Sequence, residues 1–302
     1  MKKHISELLN HSVNGHAHFE FVDINVLNDQ ALFIDPCLIE IQRGAWYDNA
    51  TILLDNFFNK FYEAYRNNDK QTKLELLSFA REINYTKLGY GNGDNGHGNT
   101  AEGLLVTFKN LERLTLNIPS VTKAMDLTVT ISGFNEDGLS DMITNILHFQ
   151  LNEFTLEQLA INNIKPNSED TFITWDITSS TWKEVTSPCY RYENNKILLT
   201  PKSIVRKKYL FGAEQFLKRI ILERAKKETA YTDTKGKTRY QTTKKELNRA
   251  IPKEDRNWRY KYTNEQTEND QSFLKDYHDA IPYLYDNKGM TDAELDKFIY
   301  SA

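Results

Sequence analysis

Apolar residues recur at helical spacing in several long stretches of this chain and cluster or alternate in shorter ones, a combination that predicts an α+β fold. Ile52, Leu53, Phe57, Phe58, Phe61, Tyr62 and Tyr65 mark one broad helical face between Asp48 and Asn67, and Leu74, Leu76, Leu77 and Phe79 repeat the pattern from Asp69 to Ile83. Asn67, Asn68 and Asp69 make the expected turn of an αα-hairpin. A third helix is expected from Ala101 to Leu116, with Leu104, Leu105, Phe108, Leu111 and Leu114 facing inward. The most convincing helix carries Leu139, Met142, Ile143, Ile146, Leu147, Leu151 and Phe154 and runs to about Asn163, before Pro166.

Strand signals lie between these helices. Met125 to Gly133 is rich in β-branched residues and free of proline, which predicts a half-buried strand. An acidic turn then leads into the helix, where Asp137, Ser140 and Asp141 are expected to satisfy the first N–H groups. Phe19 to Val26 and Ala31 to Ile41 read as two further strands, the second broken by Pro36. Thr171 to Thr178 alternates as a strand does, and Tyr190 to Thr200 reads as a hairpin turning at Glu193, Asn194 and Asn195. His16 and His18 alternate at the head of the first strand, as a metal-binding pair or as ordinary polar residues. The expected architecture is a mixed or antiparallel sheet with packed helices over residues 1–200, then a basic, mainly helical region over residues 201–302.

Composition narrows the class. With 302 residues, 39% hydrophobic and 12% aromatic, the chain can bury a real core. It has no apolar run of about 18 residues, and Met1 to Asn10 lacks the apolar region of a signal peptide, so no membrane partner and a cytoplasmic location are expected. Cys37 and Cys189 are too few for a disulfide framework and lack zinc-site spacing. The net charge of −4 hides a sorting of charge: residues 196–262 hold 20 Lys and Arg against 7 Asp and Glu, a local +13.

That basic segment is the strongest chemical signal. Arg206, Lys207, Lys208, Lys218, Arg219, Arg239, Lys244, Lys245 and Arg259, interleaved with aromatics such as Trp258, are what phosphate neutralisation and base stacking by a DNA- or RNA-binding protein require. The plainer alternative is a non-catalytic subunit whose basic part docks on an acidic partner or on a second copy of itself.

Two further constellations are candidates. Gly93, Gly96, His97 and Gly98 sit in a glycine-rich stretch that could let backbone N–H groups approach a phosphate, though no Gly-Lys-Ser/Thr follows as a P-loop requires; a surface loop is the alternative. Asp141, Glu157 and Asp176, with Lys196 and Lys202, are the residue types of a metal-dependent phosphodiesterase: Asp141 and Glu157 would hold Mg or Mn, and a lysine would sit by the attacked phosphate. This resembles the PD-(D/E)XK nuclease core in architecture, but Asn194 and Thr200 stand where that core has an acid two residues before its lysine. Helix capping explains Asp137 and Asp141 without a metal.

Leu32 to Pro36, Gly138 to Asn145 and Ile197 to Arg206 are similar to segments of uncharacterised bacterial proteins from phage-defence and mobile-element neighbourhoods. What that resemblance implies is a context in which nucleic acid or a partner subunit is the target; with the basic segment and the carboxylates, the expected function is a nuclease or the sensing subunit of a defence system.

Overall fold

A computed structural model describes residues 3–9, 15–80, 84–90, 100–286 and 289–300. A short helix α1 (Ile5–Leu8) and a 3₁₀ turn (His16–His18) precede the strand β1 (Phe33–Ile34). Helices α2 (Pro36–Ile41), α3 (Ala45–Arg66), α4 (Lys70–Leu77), α5 (Ala101–Thr107), α6 (Leu111–Asn117), α7 (Asp126–Thr130), α8 (Glu136–Ile146) and α9 (His148–Ile161) follow. Strands β2 (Ser168–Asp176), β3 (Thr181–Tyr192) and β4 (Asn195–Ile197) form an antiparallel meander, and β5 (Val205–Arg206) returns to pair with β1. One helix then runs from α10 (Ala213–Phe216) through a π turn (Leu217–Ile221) into α11 (Leu222–Glu228). A hairpin of β6 (Ala230–Thr232) and β7 (Thr238–Tyr240) leads to α12 (Lys244–Ala250), α13 (Trp258–Asn269), α14 (Ser272–Tyr285) and α15 (Asp292–Tyr300).

The fold is α+β, and the expected hydrophobic faces build its core. Along α3 the buried Phe57, Phe58, Phe61, Tyr62 and Tyr65 meet Trp175 from β2 and Phe108 after α5. Asp69 caps α4 by accepting from Thr72 N, which completes the expected αα-hairpin. The turn of the β3–β4 hairpin also lies where expected, with Glu193 and Asn194 both at positive φ. Among the described residues no helix is long and apolar enough to cross a membrane.

Several local expectations are corrected. Met125 to Gly133 is not a strand: α7 occupies its centre, and Met125 to Ile131 is buried throughout rather than on alternate residues. Asp126 accepts from Thr122 N and Lys123 N, while Thr128 and Thr130 turn their hydroxyls back onto helix carbonyls, so polar side chains close a turn that β-propensity disfavours. Ala31 to Ile41 forms only the two-residue β1 before Asp35 caps α2 and Pro36 takes its first position, where the missing N–H costs nothing. Phe19 to Val26 is an irregular run tied by single bridges, not a strand. His16 and His18 share a 3₁₀ turn, with His16 buried and His18 exposed. The helix expected from Ala101 to Leu116 breaks into α5 and α6, and the one from Leu139 to Asn163 into α8 and α9. Asn135 caps α8 in place of the carboxylates, and Ser140 accepts from Ile34 N.

Residues 1–200 and 201–302 share hydrogen bonds at several levels. β1 pairs with β5, Tyr285 donates to Asp35, and Tyr300 donates to Asp23. His16 is held between Asp296, bonded at Nδ1, and Asp23 N, which donates to Nε2; this fixes the tautomer with the proton on Nδ1.

Candidate functional site

The residues after β5 are held by three tyrosines. Tyr209 donates to Ile34 O at 2.6 Å, Leu210 N donates to the Tyr285 hydroxyl at 2.9 Å, and Gly212 N donates to the Tyr277 hydroxyl at 3.3 Å. Gly212 takes φ +143°, a conformation that side-chain-bearing residues rarely adopt, as the chain turns into α10. Lys207 and Lys208 lie between β5 and the first of these anchors; both are exposed, with Lys207 Nζ 4.2 Å from the Phe298 ring centroid.

They form one wall of a cleft of about 620 Å³ together with Arg206, Tyr209, Gln215 and Arg219; Met290, Thr291 and Glu294, at the start of α15, form the other. A second cleft of about 380 Å³ shares Lys208, Tyr209 and Gln215 with it and adds Glu136, Glu214, Arg259 and Tyr260. Tyr209, stacked on Phe211 at 4.6 Å, is the fixed post between the two. The π turn carries Arg219 into the lining of the first cleft, and such turns are frequent at functional sites.

The charges of this groove are not balanced internally. Among the described residues, Arg206, Lys207, Lys208, Arg219 and Arg259 have no carboxylate within 4.0 Å, whereas the other cations of the basic segment include many that do. Arg206 Nε donates to Lys208 O at 3.3 Å, and its Nη1 is buried without a hydrogen-bond partner among the described residues. Such an unsatisfied donor costs about 1–3 kcal/mol. The acids on the rim respond to the field. Glu294 is held below its ordinary pKa by Thr291, through its backbone N–H and its hydroxyl, and further by Arg206 and Lys207. Glu214 is held down by Lys218, with Arg259 and Lys208 adding to the effect.

The remaining sequence candidates are spread. Lys218 pairs with Glu214, Lys244 with Glu223 at 2.6 Å, and Arg239 with Asp233 at 3.0 Å. Lys245 is exposed on α12. Trp258 lies outside the groove, with Lys253 and Arg259 each 5.1 Å from its ring centroid. Gly93, Gly96, His97 and Gly98 lie outside the described residues. Asp141 lies on α8 and Glu157 is exposed on α9, while Asp176 closes the β2–β3 turn by accepting from Ser179 N and Oγ. Among the described residues no group of three or more His, Cys, Asp or Glu is placed to hold a metal ion.

Lys202 is engaged by His16 O at 2.6 Å and Asp292 at 2.9 Å. Lys196 is fully buried, 3.0 Å from His148 Nε2, 3.5 Å from Asp170 and 3.6 Å above the Phe172 ring. Burial pulls its pKa down to about 8, and burial together with Lys196 pulls His148 down to about 3, so that His148 is neutral.

Sequence reasoning missed the uncharged Gln215 of α10 as a groove residue, and Thr291 and Glu294 because α15 arrives from the acidic end of the chain. It also missed the β6–β7 hairpin, although Tyr231 to Tyr240 carries the signal of two short polar strands around Asp233 and Gly236.

A family model described as a domain of unknown function, DUF8370, matches residues 12–211. That span includes Arg206, Lys207, Lys208 and Tyr209 but stops short of Arg219, Arg259 and α15. No curated protein matches the chain, and no solved structure does.

Proposed function

This chain belongs to the DUF8370 family, and we propose that it binds nucleic acid, with the phosphate backbone lying along the cleft lined by Arg206, Lys207, Lys208 and Arg219 and running on toward Arg259. The observation that carries this is the gathering of five cations with no carboxylate within 4.0 Å among the described residues, on one groove with a rigid tyrosine post, in a protein whose net charge is −4. A net-acidic protein repels polyanions at long range, so a local concentration of cations without close carboxylates favours a phosphate ligand at that place. Internal ion pairs take Lys218, Arg224, Lys226, Lys244 and Lys261, which limits the groove interface to a smaller set than the charge of the segment suggests. The segments that resemble proteins of phage-defence neighbourhoods suggest that the ligand is foreign nucleic acid. A cytoplasmic setting suits Cys37 and Cys189, both buried and unpaired.

The test is fluorescence anisotropy with labelled single-stranded and duplex DNA and RNA. The double substitution Lys207→Glu/Lys208→Glu alters only exposed side chains and is expected to weaken binding at least about thirtyfold, through lost phosphate contacts and added repulsion. Unchanged affinity in that variant would show that the groove is not the interface.

A further inference from the structure

The β6–β7 hairpin puts no side chain into the hydrophobic core and is nevertheless held in shape. All six residues of its strands are exposed, as are Thr234 to Lys237 at its tip. A lone two-stranded hairpin is marginal in water, so its order comes from added ties. At the base, Gln241 N donates to Thr229 O at 3.0 Å and Lys226 Nζ lies 4.2 Å from the Tyr240 ring centroid. At the tip, Asp233 accepts from Lys235 N and Lys237 N, both at 2.9 Å, and Gly236 takes φ +72°. A chain that fixes both ends of an element contributing nothing to its core keeps the element for its surface.

We propose that this hairpin is a two-stranded ribbon that enters the major groove of duplex DNA, an inference that rests on the nucleic-acid reading of the groove and names its ligand as B-form duplex. Tyr231 and Arg239 are cross-strand partners and share one face. Tyr240 lies on the other, against Lys226 of α11, so the Tyr231 face is turned away from the helix. Strands about 4.8 Å apart with their side chains make a ribbon that suits the ~12 Å major groove of B-form DNA, while the deep, narrow major groove of A-form RNA excludes it.

The chemistry on the ribbon matches. Asp233 engages Arg239 at Nε, which leaves the two Nη groups for the O6 and N7 acceptors of guanine. Lys235 and Lys237 have no carboxylate within 4.0 Å among the described residues and flank the tip, where a ribbon in the groove meets the phosphates on either side. Arg219 and Thr229 stand ten residues apart on one helix that ends at the hairpin, about 15 Å along its axis, so one duplex can span both surfaces.

The experiment uses the full chain and three labelled ligands of one sequence: duplex DNA of about two helical turns, one of its strands alone, and the corresponding duplex RNA. Lys235→Ala/Lys237→Ala is expected to weaken duplex DNA about tenfold and to reduce the log–log salt slope by about 2, with single-strand affinity within about twofold of wild type. Tyr231→Ala/Arg239→Ala is expected to lower duplex DNA affinity by a similar factor, with circular dichroism verifying that both variants fold. Equal loss on all three ligands, loss on none, or a wild type that binds duplex RNA as tightly as duplex DNA overturns the ribbon. In each of those cases the groove stands if Lys207→Glu/Lys208→Glu weakens every ligand. A wild type that binds none of the three overturns ribbon and groove together.

Discussion

The Tyr285 hydroxyl donates to the buried carboxylate of Asp35 at 2.7 Å, joining α14 to the cap of α2 directly behind the basic groove. Asp35 also accepts from Cys37 N, and burial raises its pKa to about 7 against these bonds and the Arg206 charge. The folded state therefore keeps a proton that the unfolded chain loses near 3.8. Stability from this group is full below about pH 4 and falls as pH rises toward 7, by roughly 4 kcal/mol at most. Asp35→Asn keeps an acceptor and removes the titration. Urea denaturation should show a stability profile flatter than wild type between pH 4 and 7.

Lys196 gives the opposite slope. Burial lowers its folded pKa to about 8, so between that value and its ordinary 10.5 the unfolded chain binds the extra proton and folding grows more favourable with rising pH. Lys196→Met should abolish that rise in denaturation experiments from pH 8 to 10. Because the side chain is sealed among His148, Asp170 and Phe172, away from the groove, the same variant should bind nucleic acid as wild type does.

Glu294 is an acid on the rim of a basic cleft, and it also caps α15 through Thr291. Glu294→Gln preserves the cap, since glutamine serves that position equally, and removes the charge. Affinity for nucleic acid should rise about two- to fivefold, measured by anisotropy at low salt.

Tyr300 holds the last helix to the start of the fold by donating to Asp23, which also accepts from Ser6 N and Oγ. Tyr300→Phe removes one donor from a buried carboxylate. Unfolding free energy should drop by about 1–3 kcal/mol in a urea titration.

Much of this was legible in the chain, for reasons that particular residues make clear. The face of α3 could be read because Phe57, Phe61 and Tyr65 repeat every four residues over about two turns of the helix and all are buried. Met125 to Gly133 misled because its β-branched residues are enclosed on every side and its threonines bond backward onto the helix, a tertiary outcome that propensity does not carry. Charge sorting pointed to the basic segment, yet which cations stay unbalanced depends on acids far along the chain, as when Asp270 and Asp276 take Arg224. The groove itself could not be read, since α15 closes it from the acidic end of the sequence.

The most direct test of the groove is the salt dependence of wild-type binding to labelled duplex DNA, from about 50 to about 200 mM monovalent salt. If the five groove cations neutralise phosphates, the log–log slope should be about −4 or steeper, at about −0.9 per contact. A slope near zero, or no binding at the lowest salt, would contradict the phosphate-binding groove outright.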